Sequence, residues 1–318
     1  MIPAFVVFTG CVSHGPVLPD ALPKGESDST VELTETPFFP QARYQCGPAS
    51  LATVLTSAGV DVRPQALTSQ VYLPEKHGSL QIEMVAATRR YHRLPYRINP
   101  NLSDLLAELR AGRPVLVFQN LGVKMIPVWH YAVVVGYDPA NDVMFLRSGK
   151  ERRRVTSAGL FLKTWKRTGK WAIVVLRPGE MPVNPDLERY LAAVGAMAKT
   201  APPRLLLAWL RPAEKQWPQS GLVQFAIGNA LYDQGKAAAA ASAFRKALSL
   251  DPTLLVARNN LAYLLGRQGC VDQGLEEVDK ALDQAGDQNA DLKKTLLETR
   301  SEIEARKESG AAASGSCP

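Results

Sequence analysis

Gln45-Cys46-Gly47-Pro48-Ala49-Ser50-Leu51-Ala52 sets a cysteine at the predicted start of a helix, in a chain with only four cysteines. A thiol in that place is acidified by the helix dipole, and a neighbouring imidazolium stabilises its thiolate further. Far downstream, Trp129-His130-Tyr131-Ala132-Val133-Val134-Val135-Gly136-Tyr137 offers a histidine on a predicted strand. Cys46 and His130 together read as a nucleophile and its base, the chemistry of a cysteine hydrolase. Gly47 and Pro48 let the backbone turn into the helix, because a proline in the first turn forfeits no helical hydrogen bond. Ala49, Ser50 and Ala52 keep that turn slim, leaving room for the histidine strand.

The elements that must position this pair lie between residues 37 and 178, where helical and strand patterns alternate. Helices are expected from about Pro48 to Ala58, Leu80 to Tyr91 and Leu102 to Ala111, and a buried strand at Val115-Leu116-Val117-Phe118. Tyr131 to Tyr137 and Val143 to Leu146, split by Asp138-Pro139-Ala140-Asn141-Asp142, read as a hairpin. A last strand, Trp171 to Leu176, ends at Arg177-Pro178-Gly179.

From about Pro182 onward the pattern is helical, and a repeat appears in it. Gly228, Gly235, Ala240, Phe244 and Ala247 recur 34 residues later as Ala262, Gly269, Gly274, Val278 and Ala281. With Leu231 and Pro252, the first copy matches the tetratricopeptide pattern, in which small residues let paired helices approach and proline ends the second helix. The clear repeats span 221–254 and 255–288 within a helical domain of 183–306. Flanking helices near Leu187 to Ala198 and Leu292 to Arg306 are expected to cap the stack.

The chain's 318 residues, 46% of them hydrophobic, suit two domains. Met1 to Gly10 is apolar and uncharged and ends in Phe8-Thr9-Gly10-Cys11, which looks like the lipobox of bacterial lipoproteins, with Cys11 as the lipidated residue. The run is too short to span a bilayer, which takes about 20 residues. Lipidation would make this an envelope protein facing the periplasm. Residues 12–36 are rich in Pro, Gly, Ser and acidic residues and read as a flexible tether; 307–318 reads as a disordered tail. The cysteines at 11, 46, 270 and 317 form no close-spaced pair, so neither a zinc site nor a CxxC motif is available. Structural disulfides are not expected, with a Cys270–Cys317 link the one alternative. The net charge of +7, with Arg147 and Lys150-Glu151-Arg152-Arg153-Arg154, lacks any accompanying nucleic-acid motif; the cluster is read as a solvated hairpin end, with contact to anionic headgroups as the alternative for a membrane-tethered protein. His14, His77 and His92 lie in the tether, before a helix and at a helix end, places where a histidine caps or is solvated.

Pro37-Phe38-Phe39-Pro40-Gln41, the Cys46 segment and His130-Tyr131-Ala132-Val133-Val134-Val135-Gly136-Tyr137 together resemble the papain-like cysteine peptidases that remove double-glycine leaders from bacteriocins, and their stand-alone relatives. The resemblance covers roughly residues 37–178. It implies an α+β papain-like fold, with the cysteine helix packed on an antiparallel sheet that bears the histidine, followed here by the tetratricopeptide-like solenoid. It also implies an oxyanion hole built from a glutamine upstream of the cysteine and backbone N–H groups. Gln41, five residues before Cys46, occupies the family-like position, and Gln45 is the competing candidate.

The third member of the constellation departs from that family. In relatives with a full triad an aspartate follows on the next strand, and here that place reads Leu146-Arg147-Ser148-Gly149. Asp138 and Asp142 sit at the far end of the hairpin, about 25 Å from His130 at about 3.3 Å per residue. If Tyr137 pairs with Val143, Ser148 falls opposite Ala132, on His130's face and one diagonal step away. Ser148 then orients the imidazole, the site works as a Cys-His dyad, or the cleft only binds peptides. The expected activity is hydrolysis of a peptide or protein substrate without metal or organic cofactor, with the repeats binding substrate or a protein partner. The rivals are an inactive peptide-binding scaffold and an acyltransferase using the same thiolate.

Overall fold

The computed structural model describes residues 16–23, 29–285 and 290–309; Cys11 and Cys317 lie outside them. Two compact units divide the chain, one ending at Leu176 with Pro182–Asn184 added, the other holding Arg177–Met181 and the remainder from Pro185. Among the described residues no helix is long and apolar enough to cross a membrane.

The first unit is built on an antiparallel sheet. Its elements are α1 (Leu18–Ala21), β1 (Val31–Glu32), α2 (Cys46–Ser57), α3 (Pro64–Val71), a 3-10 turn at Pro74–Lys76, α4 (Gln81–Arg90), β2 (Leu94–Arg97) and α5 (Leu102–Arg110). They continue as β3 (Val115–Asn120), β4 (Trp129–Asp138), β5 (Val143–Ser148), β6 (Glu151–Ser157), α6 (Ala158–Lys166) and β7 (Ala172–Leu176). The strand order is β2-β7-β3-β4-β5-β6, with β1 paired to the end of β4. Alternation along β4 divides its side chains between two layers. Tyr131, Val133 and Val135 join Leu51, Ala52 and Leu55 of α2 in one core, together with Leu116 and Ile173. Ala132 and Val134 are fully buried on the opposite face, on which Gln119 of β3 bonds Thr164 of α6. Helix α2 is almost entirely buried from Gly47 to Leu55, so its register on the sheet is held by apolar packing along its length.

Part of the segment read from composition as a flexible tether is packed against this unit. Leu18 is fully buried, Asp142 Oδ1 accepts from the N–H groups of Val17 and Leu18, and β1 pairs with β4. Arg147, grouped above with the solvated basic cluster, is instead 4% exposed. Its guanidinium donates to the carbonyls of Leu33, Thr34, Thr36 and Arg152, tying the incoming chain to β5. A charge satisfied by four carbonyls is worth burying, and composition alone cannot show that.

The second unit is helical: α7 (Leu187–Gly195), α8 (Pro203–Gln216), α9 (Gly221–Tyr232), α10 (Ala237–Leu250), α11 (Leu255–Arg267), α12 (Val271–Ala285) and α13 (Ala290–Glu308). The pairs α9/α10 and α11/α12 coincide with the two 34-residue copies. A Cβ on Gly228 of α9 would lie 2.4 Å from the ring of Phe244 on α10, which explains the small residue at that position. Gly228→Val is expected to destabilise this unit by about 2 kcal/mol in urea unfolding, because the buried ring cannot retreat. Cys270 is disulfide-bonded, which departs from the main expectation of no structural disulfide and not from the alternative kept for this residue, and Cys46 is the free thiol among the described residues.

Candidate active site

The start of α2 carries no side-chain cap: Gln45, the residue before it, makes no capping hydrogen bond. First-turn N–H groups are therefore open to another acceptor, and the backbone N–H groups of Cys46, Gly47 and Tyr131 are directed at the Cys46 thiol. Each favours the thiolate, yet burial acts more strongly, and the thiol sits above its ordinary value. The sequence-based expectation of an acidified thiol counted the helix dipole and omitted this desolvation. Gly47 is needed because a Cβ there would lie 2.1 Å from the Ser79 hydroxyl, which is packed against the helix start.

His130 enters from β4, next in sequence to Tyr131. Its Nε2 lies 2.8 Å from Ser148 Oγ, so the serine at the end of β5 holds the ring by one nitrogen. The predicted register reached this pair by a different route. Observed pairing begins one residue later, Asp138 with Val143, and an irregularity between Val134 and Gly136 absorbs the difference, giving Val133 opposite Arg147. Continued one residue, that register sets Ser148 opposite Ala132. Burial and the Arg154 charge from β6 both disfavour the imidazolium, lowering His130 to about 4. Cys46 and His130 make no direct hydrogen bond to each other among the described residues; the structure brings the thiol to the backbone of Tyr131 and the imidazole to Ser148. Such catalytic contacts commonly tighten only when substrate is bound.

The two glutamines part company. Gln41 Nε2 is 3.5 Å from Ser50 Oγ, which in turn donates to the Tyr131 carbonyl, and the Gln41 backbone N–H donates to the Gly149 carbonyl. Gln41 thus belongs to the network around the cysteine and the end of β5. Gln45 turns away, its side-chain oxygen accepting from Thr68 Oγ1 on α3. Asp138 bonds Asn141 within its own turn, and Asp142 receives the N-terminal segment, so neither aspartate serves His130. His77 packs its ring at a tilt against Tyr44, with centroids 5.0 Å apart, and His92 lies at the end of α4.

Arg154 was missed in the sequence, where it read as one of several solvated arginines. Only pairing of Leu146 with Arg154 shows that it shares a face with Ser148. Arg154→Ala is expected to raise the His130 pKa, since a like charge is removed. Imidazole NMR titration would show the inflection moving to higher pH from about 4.

In the helical unit a groove is lined by Arg245, Arg258, Leu261, Leu265, Gln273 and Glu277, its Arg258–Glu277 pair at 2.7 Å. Its lining combines leucines with side chains of both charges.

Residues 33–173 match the Peptidase_C39 like family, and residues 228–269 match a TPR repeat. The chain thus pairs an N-terminal α+β sheet domain that matches the C39-like family with a helical region that matches the TPR repeat. No curated protein matches. Among solved structures, one described as a "C39-like peptidase from Bacillus anthracis" is similar at 17% identity and a TM-score of 0.41, over 47% of this chain and 98% of that one. The Sgt2 TPR domain from Aspergillus fumigatus is similar at 17% identity and a TM-score of 0.36, over 42% of this chain and 88% of that one.

Proposed function

We propose that this chain is a cysteine peptidase acting on a peptide or protein substrate in the bacterial envelope. Cys46 Sγ attacks the carbonyl carbon while His130 takes the thiol proton and then returns it to the leaving amine. The products of that half-reaction are a thioester on Cys46 and a free amine; water, deprotonated by His130, then splits the thioester into a carboxylate and the thiol. Gln41 and the Cys46 N–H stabilise the oxyanion, and Ser148 orients the imidazole. The observation that carries this reading is the convergence of three backbone N–H groups on the Cys46 thiol, one of them from Tyr131, whose chain neighbour His130 has its Nε2 held by Ser148.

Because burial keeps both groups neutral at rest, the thiol is activated as substrate arrives rather than stored as a thiolate. The TPR groove supplies a partner or an extended part of the substrate, and Cys11, outside the described residues, supplies a lipid anchor. The absence of a carboxylate at the Ser148 position favours a second reading, a peptide-binding scaffold. The test is hydrolysis of an unfolded-protein digest by the wild type and by Cys46→Ala, followed by mass spectrometry in H2-18O. New termini carrying 18-oxygen, seen only with the wild type, establish hydrolysis. Amine-capped termini would mean acyl transfer, and no new termini would leave the scaffold.

A further inference from the structure

The loop between β3 and β4 is an apolar hairpin that the catalytic reading does not use. Val123 is 56% exposed, Met125 92%, Ile126 72%, Val128 51% and Trp129 54%. This is a built shape rather than a loose loop. Val123 and Ile126 exchange backbone hydrogen bonds across the tip, Asn120 Oδ1 accepts from the N–H groups of Gly122 and Val128, and Trp129 stacks on Phe118 at 5.5 Å. At the base, Arg167 donates to the carbonyls of Asn120 and Gly122.

Exposure this complete at Met125 and Ile126 means that no wall stands beside them. A peptide subsite is concave and encloses its side chain, whereas these residues project. The charge around them has one sign. Lys124 sits within the tip, exposed Lys163, Lys166 and Arg167 lie on and just after α6, and Lys170 follows. No acidic residue occurs from Leu109 to Tyr137 or from Arg152 to Gly179. Projecting aliphatic side chains, a half-exposed tryptophan at their base and a collar of cations complement an apolar layer beneath anionic headgroups.

We infer that the Leu121–Trp129 hairpin inserts its Met125/Ile126 tip into an anionic lipid surface. Trp129 and Lys124 then lie at headgroup level, with His130, the next residue, beside that surface. Insertion depends on neither catalysis nor a lipid on Cys11, so failure of the peptidase reading leaves it standing.

The experiment is co-sedimentation of the full unlipidated chain with vesicles of phosphatidylcholine alone or mixed with phosphatidylglycerol, comparing the wild type with Met125→Asp/Ile126→Asp. The double variant should fold normally because both side chains face solvent, and an unchanged melting temperature checks this. The expected result is binding to the mixed vesicles, weakened by added salt and reduced at least about tenfold in the variant. Brominated lipid should quench emission in the wild type more than in Trp129→Phe. No vesicle binding by the wild type overturns the inference. So does binding indifferent to the double variant, which would assign it to the basic collar alone. If the variant instead raises KM for a cleaved peptide, or abolishes self-association, without any vesicle binding, the hairpin docks substrate or a second copy.

Discussion

His130→Ala is expected to slow alkylation of Cys46 by a peptidyl epoxide at pH 7 by about a thousandfold, and Cys46→Ala to abolish it. The size follows from the resting protonation state. Burial holds the thiol above its ordinary value, so little thiolate exists at neutral pH, while His130, lowered to about 4, is neutral and free to accept a proton. General-base help of this kind contributes roughly a hundredfold to ten-thousandfold. The pH dependence separates this arrangement from a preformed ion pair. A neutral pair loses its base only as pH falls through the His130 value, so the acid limb should lie near pH 4. A stored thiolate would make Cys46 alkylate rapidly with iodoacetamide well below pH 7. Following Cys46 by peptide mapping leaves the disulfide-bonded Cys270 untouched. A His130→Ala protein that reacts as fast as the wild type across the range would remove the histidine from the mechanism.

Gln41→Ala is expected to lower kcat by about a hundredfold with little change in KM, whereas Gln45→Ala should leave kcat within a few fold. An oxyanion donor acts on charge that develops only in the transition state, so its loss falls on kcat. Gln41 bonds Ser50 beside the cysteine, and Gln45 bonds Thr68 on α3. Equal losses from both variants, or a loss confined to Gln45→Ala, would reverse that assignment. A change in KM alone would make Gln41 a substrate-binding residue only.

Much of this arrangement was legible in particular residues. The apolar run from Tyr131 to Tyr137, the Asp138-Pro139-Ala140-Asn141-Asp142 turn and the 34-residue spacing of Gly228 and Ala262 are each local patterns, and local patterns survive in sequence. The strand β6 was not legible: Glu151-Arg152-Arg153-Arg154 has no apolar alternation because both its faces are largely solvated. Helix α3 escaped too, its eight residues holding just two buried side chains, Leu67 and Val71. The packed stretch around Leu18 reads as a polar tether because its anchors, Asp142 and the strand β4, lie more than a hundred residues away.

By itself the sequence determined the two-part architecture, picked out Cys46 and His130 as the candidate nucleophile and base, and named Ser148 as the residue able to reach the imidazole. These follow from residue type and short-range spacing. Tertiary structure alone decided that Gln41 bonds Ser50 while Gln45 bonds Thr68, that the Arg154 charge acts on His130, that Arg147 is a buried tie, and that burial disfavours the charged forms of Cys46 and His130. Each of those depends on which side chains share a face and on how much water reaches them. Desolvation and long-range pairing are properties of the packed chain, and no local spacing records them.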